Sequence, residues 1–179
     1  MKTIGRCAQL AAGFGALCAL ISTGSLASAD PSRSDIRFMR EAAQGGMAEV
    51  RMGELAKERG ATDRVREFGQ RMIDDHSKAN DDLKDLASRK GVTLPADIGA
   101  DNRAVLSQLR RLHGSAFDAA YIRHMRMDHQ MDVAAFRREA ENGRDPDVRH
   151  FAQDKLPIIR DHYNQISRMA EHRWRMGRL

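Results

Sequence analysis

The sequence predicts an all-α protein, a four-helix bundle with a crossover segment between its second and third long helices. Three observations support this fold class. Apolar residues recur at helical spacing along four long segments, short turns join these segments in two pairs, and no stretch alternates as a strand does. We divide the chain into residues 1–29, a signal peptide, and residues 30–179, a bundle domain with its core at residues 35–170.

The leader is the first element. Lys2 and Arg6 give it a basic start, Cys7 to Ile21 are apolar or small, and Ala27-Ser28-Ala29 forms a small-residue cleavage signal. An apolar run of about 15 residues is short for a membrane span, which needs roughly 20. An uncleaved anchor is the less favoured alternative. We expect cleavage after Ala29, a periplasmic or secreted mature chain, and no transmembrane segment in that mature chain.

Cleavage would remove both cysteines of the chain, Cys7 and Cys18. The mature protein would then occupy an oxidising compartment without a disulfide, so its stability must come from a single hydrophobic core. The whole chain has a formal net charge of +5 at pH 7, with both signs interspersed and few aromatic residues. Because no basic run interleaves with aromatic side chains, we expect no nucleic-acid partner.

Two long helices are predicted after the leader. The first covers about residues 34–59, and Gly60 ends it. Its apolar stripe is interrupted by Glu49. The second covers about residues 62–90 and begins with a threonine-aspartate pair, which is favourable N-cap chemistry. Its stripe contains one polar residue, His76, so each of the first two helices places a polar side chain on its apolar face.

The crossover and the last two long helices follow. A loop and a short helix at about residues 101–112 form the crossover. The third long helix covers about residues 115–142 and carries His129 in its apolar stripe. The fourth starts with an aspartate-proline pair, favourable for an N-terminus, and carries His162. Pro157 lies inside this helix and is expected to kink it by removing one backbone hydrogen bond.

A weak internal repeat connects the two hairpins. The sequence that starts at Gly60, GATDRVREFGQ, resembles the one that starts at Gly143, GRDPDVRHFAQ. Each repeat then leads to an Asp-His pair, Asp75-His76 in the first hairpin and Asp161-His162 in the second. Two related hairpins joined by a crossover predict pseudo-two-fold symmetry, which is the arrangement of ferritin-like bundles.

The polar residues of the four stripes form a candidate metal site, namely Glu49, His76, His129 and His162. A buried carboxylate or imidazole is costly unless it is paired. Four of them at one height could offset that cost by binding one another or a metal. Three imidazoles and a carboxylate suit one transition metal ion, Zn, Fe, Mn or Cu. The alternative is a hydrogen-bonded polar layer that fixes the register of the helices.

Neighbouring acids extend this prediction. Asp132 lies one turn after His129 and is the candidate fifth ligand. Asp75, Asp128 and Asp161 each directly precede a histidine of the site, where such an acid could cap a helical turn or orient the ring from outside the ligand shell. The other histidines show no such placement and are expected to face solvent: His113, His124, His150 and His172.

Motifs of catalysis are absent from the sequence. It contains no Gly-rich phosphate loop, no G-x-S-x-G, no H-E-x-x-H and, after cleavage, no nucleophilic cysteine. The sequence therefore favours a protein without enzymatic activity, although it does not decide the question. The basic segment from His172 to Leu179 contains one tryptophan, and contact with an anionic membrane surface is the alternative to a solvated tail.

Several segments of the chain resemble a family of exported bacterial proteins. They are Glu49 with Gly53-Glu-Leu-Ala, Arg71-Met-Ile-Asp-Asp-His-Ser-Lys-Ala-Asn, Phe117-Asp-Ala-Ala-Tyr-Ile, Asp128-His129, and Phe151-Ala with Leu156-Pro157 and His162. The family is the domain of unknown function 4142 (DUF4142), in the ferritin-like superfamily. The resemblance covers about residues 35–169 and implies a ferritin-like bundle in the bacterial envelope, without an established activity.

The superfamily often binds two irons through a Glu-x-x-His motif in each hairpin. Ile73 and Ile159 occupy the corresponding glutamate positions before His76 and His162, so the sequence predicts one metal or none. We expect an exported bundle that binds one transition metal for envelope metal handling or stress protection. The alternative is a non-enzymatic envelope module that binds a partner or surface, with the glutamate-histidine cluster as a structural polar layer.

Overall fold

The computed structural model describes residues 30–176, with side chains described as far as His172. It contains five helices: α1 (Arg33–Arg59), α2 (Asp63–Arg89), α3 (Gly99–Arg110), α4 (Gly114–Asn142) and α5 (Pro146–Met176). No strand occurs between residues 30 and 176, so the predicted all-α fold is confirmed. The predicted signal peptide and residues 177–179 of the basic C-terminal tail lie outside the described residues, as do the side chains of residues 173–176.

Two helical hairpins form the bundle. Helix α1 packs along α2, and α4 packs along α5, while smaller α1–α4 and α2–α5 contacts join the two hairpins. Helix α3 is the predicted crossover and lies mainly against α1. Helix α5 continues through Pro157 without a break. Across residues 30–176, none of the helices combines the length and the apolar character that a membrane crossing requires.

The hydrophobic core consists of two clusters with the polar residues of the stripes between them. One cluster contains Phe68, Phe117 and Tyr121 with aliphatic and methionine side chains of all five helices. The other contains Phe38, whose ring centroid lies 4.9 Å from that of Phe136. Burial of these side chains supplies the main driving force for folding. The polar level is thus enclosed on both sides by apolar packing.

Two glycines allow α1 and α2 to approach closely next to this level. A Cβ atom at Gly53 would lie 2.6 Å from the carbonyl oxygen of Gly69, and a Cβ atom at Gly69 would lie 2.7 Å from that of Gly53. No side chain fits at such distances. Gly53 follows Glu49 by one helical turn, so this close contact also brings Glu49 toward the α2 residue His76.

The internal repeat forms the same turn twice. In the first hairpin, the α4 residue Asp118 accepts hydrogen bonds from the backbone N–H groups of Ala61 (2.9 Å) and Thr62 (3.1 Å). In the second hairpin, Asp35 accepts from the backbone N–H groups of Arg144 and Asp145, both at 3.1 Å. Each acid therefore connects one hairpin to the turn of the other.

Arginine side chains complete both turns in the same way. Arg66 donates to the carbonyl oxygen of Gly60 at 2.5 Å, and Arg149 donates to that of Gly143 at 2.7 Å. The number of residues between Gly60 and Gly143 equals the number between Asp35 and Asp118. The same number separates the two arginines in the sequence. The contacts follow the pseudo-two-fold arrangement that the repeat predicts.

The two turns differ in how their helices are capped. Asp145 accepts from the backbone N–H of Asp147 at 2.9 Å and of Val148 at 3.1 Å, so it caps α5 as predicted. Thr62 makes no side-chain cap on α2, contrary to the N-cap prediction. Its hydroxyl donates to Asp118 instead, at 2.9 Å. The Thr62 hydroxyl is thus directed toward a charged acceptor on α4 and away from the N–H groups of its own helix.

We predict that Asp118→Ala lowers the free energy of unfolding by about 2–4 kcal/mol, because three donors lose a buried charged acceptor. Urea unfolding followed by circular dichroism measures this difference. Asp81→Ala is the matched control, since the Asp81 carboxylate is exposed and contacts only Lys84 among the interactions described. Equal destabilisation in the two variants would contradict the role of Asp118.

Glu139 makes the second turn sensitive to pH. The side chain is buried at this turn, and burial, together with the nearby Asp35 carboxylate, raises the pKa of Glu139 to about 7. A carboxyl group in the unfolded chain titrates near pH 4.5. The folded state therefore binds the proton more tightly, and the stability that this gives is lost as the pH rises through 7.

We predict that Glu139→Gln removes this loss. Between pH 5 and pH 8, the free energy of unfolding of the wild-type protein should fall by about 2–3 kcal/mol relative to that of the glutamine variant, since a glutamine amide does not titrate. Urea unfolding at pH 5 and at pH 8 measures the change in the free energy of unfolding for each protein. The exposed Glu141 on the same helix provides the control Glu141→Gln. Parallel pH profiles for wild type and Glu139→Gln would show that Glu139 is not the responsible group.

Candidate metal centre

Three histidines from different helices meet inside the bundle. His76 comes from α2, His129 from α4 and His162 from α5, and all three side chains are buried. Their ring centroids are separated by 5.3 to 5.7 Å. One ring nitrogen of each lies within 4.8 Å of those of the other two. The structure thus brings together the three imidazoles of the predicted site.

Each of these rings has one nitrogen bound to an acceptor. His76 Nδ1 lies 2.9 Å from Glu49 Oε2, and His162 Nε2 donates to Asp75 Oδ2 at 2.7 Å. His129 Nδ1 donates to the carbonyl oxygen of Met125 at 3.0 Å. The Met125 carbonyl and the Asp75 carboxylate accept hydrogen bonds, so the ring protons of His129 and His162 occupy the outer nitrogens, and the ring proton of His76 does so when Glu49 is ionised.

The second nitrogen of each ring is left without a hydrogen-bond partner. These atoms are His76 Nε2, His129 Nε2 and His162 Nδ1, and all are shielded from solvent. Since the outer nitrogens carry the protons, the inner ones present lone pairs. A buried polar atom without a partner costs about 1–3 kcal/mol. Rings fixed by an outer acceptor and free at the other nitrogen are typical of metal-binding histidines.

Burial keeps the three imidazoles neutral. It lowers the pKa of His76 to about 4 and that of His162 to about 4, the latter against the opposing effect of Asp75. The pKa of His129 also falls well below its usual range, through burial and the neighbouring His76 and His162. Neutral imidazole is the form that binds metals, so the group needs no deprotonation near pH 7.

Three carboxyl groups lie beside the histidines. Glu49, Asp128 and Asp132 each place one oxygen within 4.8 Å of the others and of a nitrogen of His129. Burial raises the pKa of Glu49 well above its usual range, and Asp128 adds to this effect. Burial also raises the pKa of Asp132, with Glu49 and Asp128 as further causes.

No lysine or arginine in the described part of the chain contributes to these shifts. Burial raises the pKa of Asp128, and only His124 and His76 oppose it. An anionic cluster without a fixed counter-charge favours bound protons or a bound cation. Glu49 and Asp132 are separated by the same interval as Gly60 and Gly143, so the two hairpins contribute equivalent acids.

The acids predicted to orient the rings have different positions. Asp75 contacts His162 and also accepts from Arg71 Nε at 3.2 Å, so it connects a core ring to the surface. Asp128 belongs to the carboxyl group around Glu49 instead of bonding to an outer ring nitrogen. Asp161 pairs with Arg71 at 2.7 Å, and its side chain is 56% exposed. The described contacts of Asp161 are thus with Arg71, and its predicted role in orienting His162 stays a prediction.

His124 also departs from the sequence-based expectation. It was expected to face solvent, but its ring is half-buried and its Nε2 atom is shielded without a hydrogen-bond partner. Burial lowers the pKa of His124, while Asp128 raises it. His124 precedes Asp128 by one helical turn, which places both on one edge of α4 beside the carboxyl group.

Two further groups escape prediction from sequence. The Met125 carbonyl oxygen binds His129, and the Phe68 ring packs against His129 and His162 with centroid distances of 6.2 and 6.3 Å. Helical spacing identifies Phe68 as a core residue but not as a wall of the site. Phe68 thus forms an apolar wall of the site.

The fold and these side chains define an all-α four-helix bundle with a buried three-histidine group and an adjacent carboxyl group. The family described as "Domain of unknown function (DUF4142)" matches residues 21–169, and the chain belongs to this family. No curated protein shows significant sequence similarity to the chain.

Solved structures show the same fold. A DUF305 fragment from Deinococcus radiodurans has a TM-score of 0.70 at 16% sequence identity, over 84% of this chain and all of that one. CopM in its Cu(I)-bound form has a TM-score of 0.63 at 17% sequence identity, over 77% of this chain and 96% of that one. CopM in its Cu(II)-bound form has a TM-score of 0.62 at 16% sequence identity, again over 77% of this chain and 96% of that one. At these identities the likeness shows the fold alone.

Proposed function

We propose that this protein binds one transition metal ion in the bundle core through His76, His129 and His162, with Glu49 as the carboxylate partner of the group. One observation carries the proposal. Three neutral, buried rings each have an outer nitrogen fixed by an acceptor and an inner nitrogen without one. A cation that accepts the three lone pairs would remove the cost of leaving them unpaired.

The rings are held in place before any metal arrives. Glu49, Asp75 and the Met125 carbonyl fix the outer nitrogens, and Phe68 packs against two of the rings. Little side-chain entropy is then lost on binding. The neighbouring carboxyl groups supply negative charge, which attracts a cation and compensates it once bound.

Copper is the metal that we favour among Zn, Fe, Mn and Cu. Imidazole ligands suit all four metals, and copper binds most tightly in the usual order of divalent ions. The two CopM structures, one in the Cu(I)-bound form and one in the Cu(II)-bound form, share this fold. We propose a role in metal handling or stress protection in the bacterial envelope, in keeping with the basic, apolar leader at residues 1–29.

We predict about one copper ion per chain for protein recovered from the periplasm of an expression host without a histidine tag. The apoprotein is loaded with Cu(II), or separately with Zn(II), then desalted against a weak chelator and analysed for bound metal. His129→Gln/His162→Gln should reduce binding to less than about 0.1 ion per chain, because two of three imidazoles are lost. His113→Gln/His150→Gln, at exposed positions, should bind as wild type does.

The rival function is a structural polar layer in an envelope module that has no metal. In that case the wild-type protein holds less than about 0.1 ion per chain after loading with either metal. The histidine substitutions then change the free energy of unfolding without changing metal content. Circular dichroism of the variants separates a lost site from a lost fold.

Export is a separate prediction. We expect the periplasmic protein to begin at Asp30, because Ala27-Ser28-Ala29 has the small residues that signal peptidase accepts. Intact mass spectrometry of the recovered protein measures its N-terminus. Ala27→Lys should retain the leader, whereas Ser28→Lys tests the neighbouring position, which is less constrained. A wild-type protein that keeps residues 1–29 would contradict cleavage.

A further inference from the structure

Helix α4 exposes two methionines at helical spacing. Met127 is 58% exposed and Met131 is 60% exposed, which makes them the most exposed large apolar side chains of the described residues. Other methionines of the bundle are almost fully buried: Met39, Met52, Met72 and Met125. Residues four apart on a helix are neighbours, so Met127 and Met131 occupy adjacent positions on one exposed face of α4.

His124 lies next to this pair. It precedes Met127 by three residues, which places it on the same edge of the helix. Its ring is half-buried, and its Nε2 atom is shielded from solvent without a hydrogen-bond partner. Two thioethers and an imidazole are soft to borderline donors, the set that favours Cu(I) over hard cations such as Mg²⁺ or Ca²⁺.

The same edge continues toward the core site. Asp128 follows His124 by one turn, and the two interact electrostatically. An oxygen of Asp128 also lies within 4.8 Å of ligand atoms of Glu49 and His129. Donor atoms therefore extend from the exposed thioethers, through His124 and Asp128, to the buried histidines.

We propose that Met127, Met131 and His124 form a surface site for a soft monovalent cation, Cu(I), which passes along Asp128 to the three-histidine group. The inward transfer rests on the proposed function, whereas the surface site is independent of it. The step exchanges ligands on one cation and involves no electron transfer. The outer site binds the ion weakly and collects it from solution. The negative charge of the carboxyl group then attracts the ion inward.

The surface site is tested with Ag(I), a redox-inert analogue of Cu(I), on the exported protein labelled with ¹³C at the methionine methyl groups. We expect the Met127 and Met131 signals, assigned from Met127→Leu and Met131→Leu, to shift together as Ag(I) is added. The Met47 signal serves as an internal control, since Met47 belongs to α1 and packs against the hydrophobic core. Unchanged Met127 and Met131 signals would overturn the surface site.

The transfer is tested by the rate at which the protein removes Cu(I) from a chromogenic chelator. Met127→Leu/Met131→Leu should slow this uptake by about tenfold and leave the final metal content unchanged, because leucine keeps the volume and removes the sulfur. Met47→Leu should leave the rate unchanged. A double variant as fast as wild type would overturn the transfer.

Failure of the proposed function has a different signature. If the core histidines do not hold the metal, His129→Gln/His162→Gln accumulates as much Cu(I) as wild type does. The methyl shifts of Met127 and Met131 would persist in that variant, because the surface site does not use those histidines. The two experiments therefore separate an absent surface site from an absent core site.

Discussion

Burial of three imidazoles between two apolar clusters is the constraint on which the rest of this structure depends. The rings lie where a bundle of this size would otherwise place aliphatic side chains, and burial holds them in the neutral form. Their outer nitrogens are satisfied by Glu49, Asp75 and the Met125 carbonyl. The inner nitrogens have no hydrogen-bond partner. The free-energy cost of burying them is therefore concentrated at one point in the core, where a bound cation can remove it.

The height at which the rings meet is fixed by the ends of the hairpins. Asp35 and Asp118 each bind the turn of the opposite hairpin through backbone N–H groups, and this fixes the register of one hairpin against the other. One helical residue advances the chain by about 1.5 Å, so a shift of a single turn would separate the histidines by more than a metal can bridge. The site therefore depends on turn contacts that are remote from it in sequence.

Helical spacing was sufficient to predict the fold and the inward face of each helix. Glu49, His76, His129 and His162 interrupt apolar stripes, which is why their convergence could be anticipated. The finer arrangement could not, because it depends on the rotation of each helix about its axis and on partners distant in sequence. Arg71 draws Asp161 to the surface, and the position of His124 at the edge of α4 depends on how that helix packs.

Ile73 and Ile159 occupy the positions at which a Glu-x-x-His motif has glutamates, and this changes which ligands the core contains. Ile159 belongs to an apolar cluster, and Ile73 lies against Gly53 at the close contact of α1 and α2. A glutamate at either position would lose that packing.

The acids lie instead on α1 and α4, at Glu49, Asp128 and Asp132, whereas two of the three imidazoles come from α2 and α5. The two kinds of ligand atom are thus separated across the bundle: carboxyl oxygens lie on the α1–α4 side, and neutral ring nitrogens extend from it toward α2 and α5. Under the proposed function, a cation that enters past the carboxyl groups would pass from oxygen ligands to nitrogen ligands, and His129 belongs to both sets.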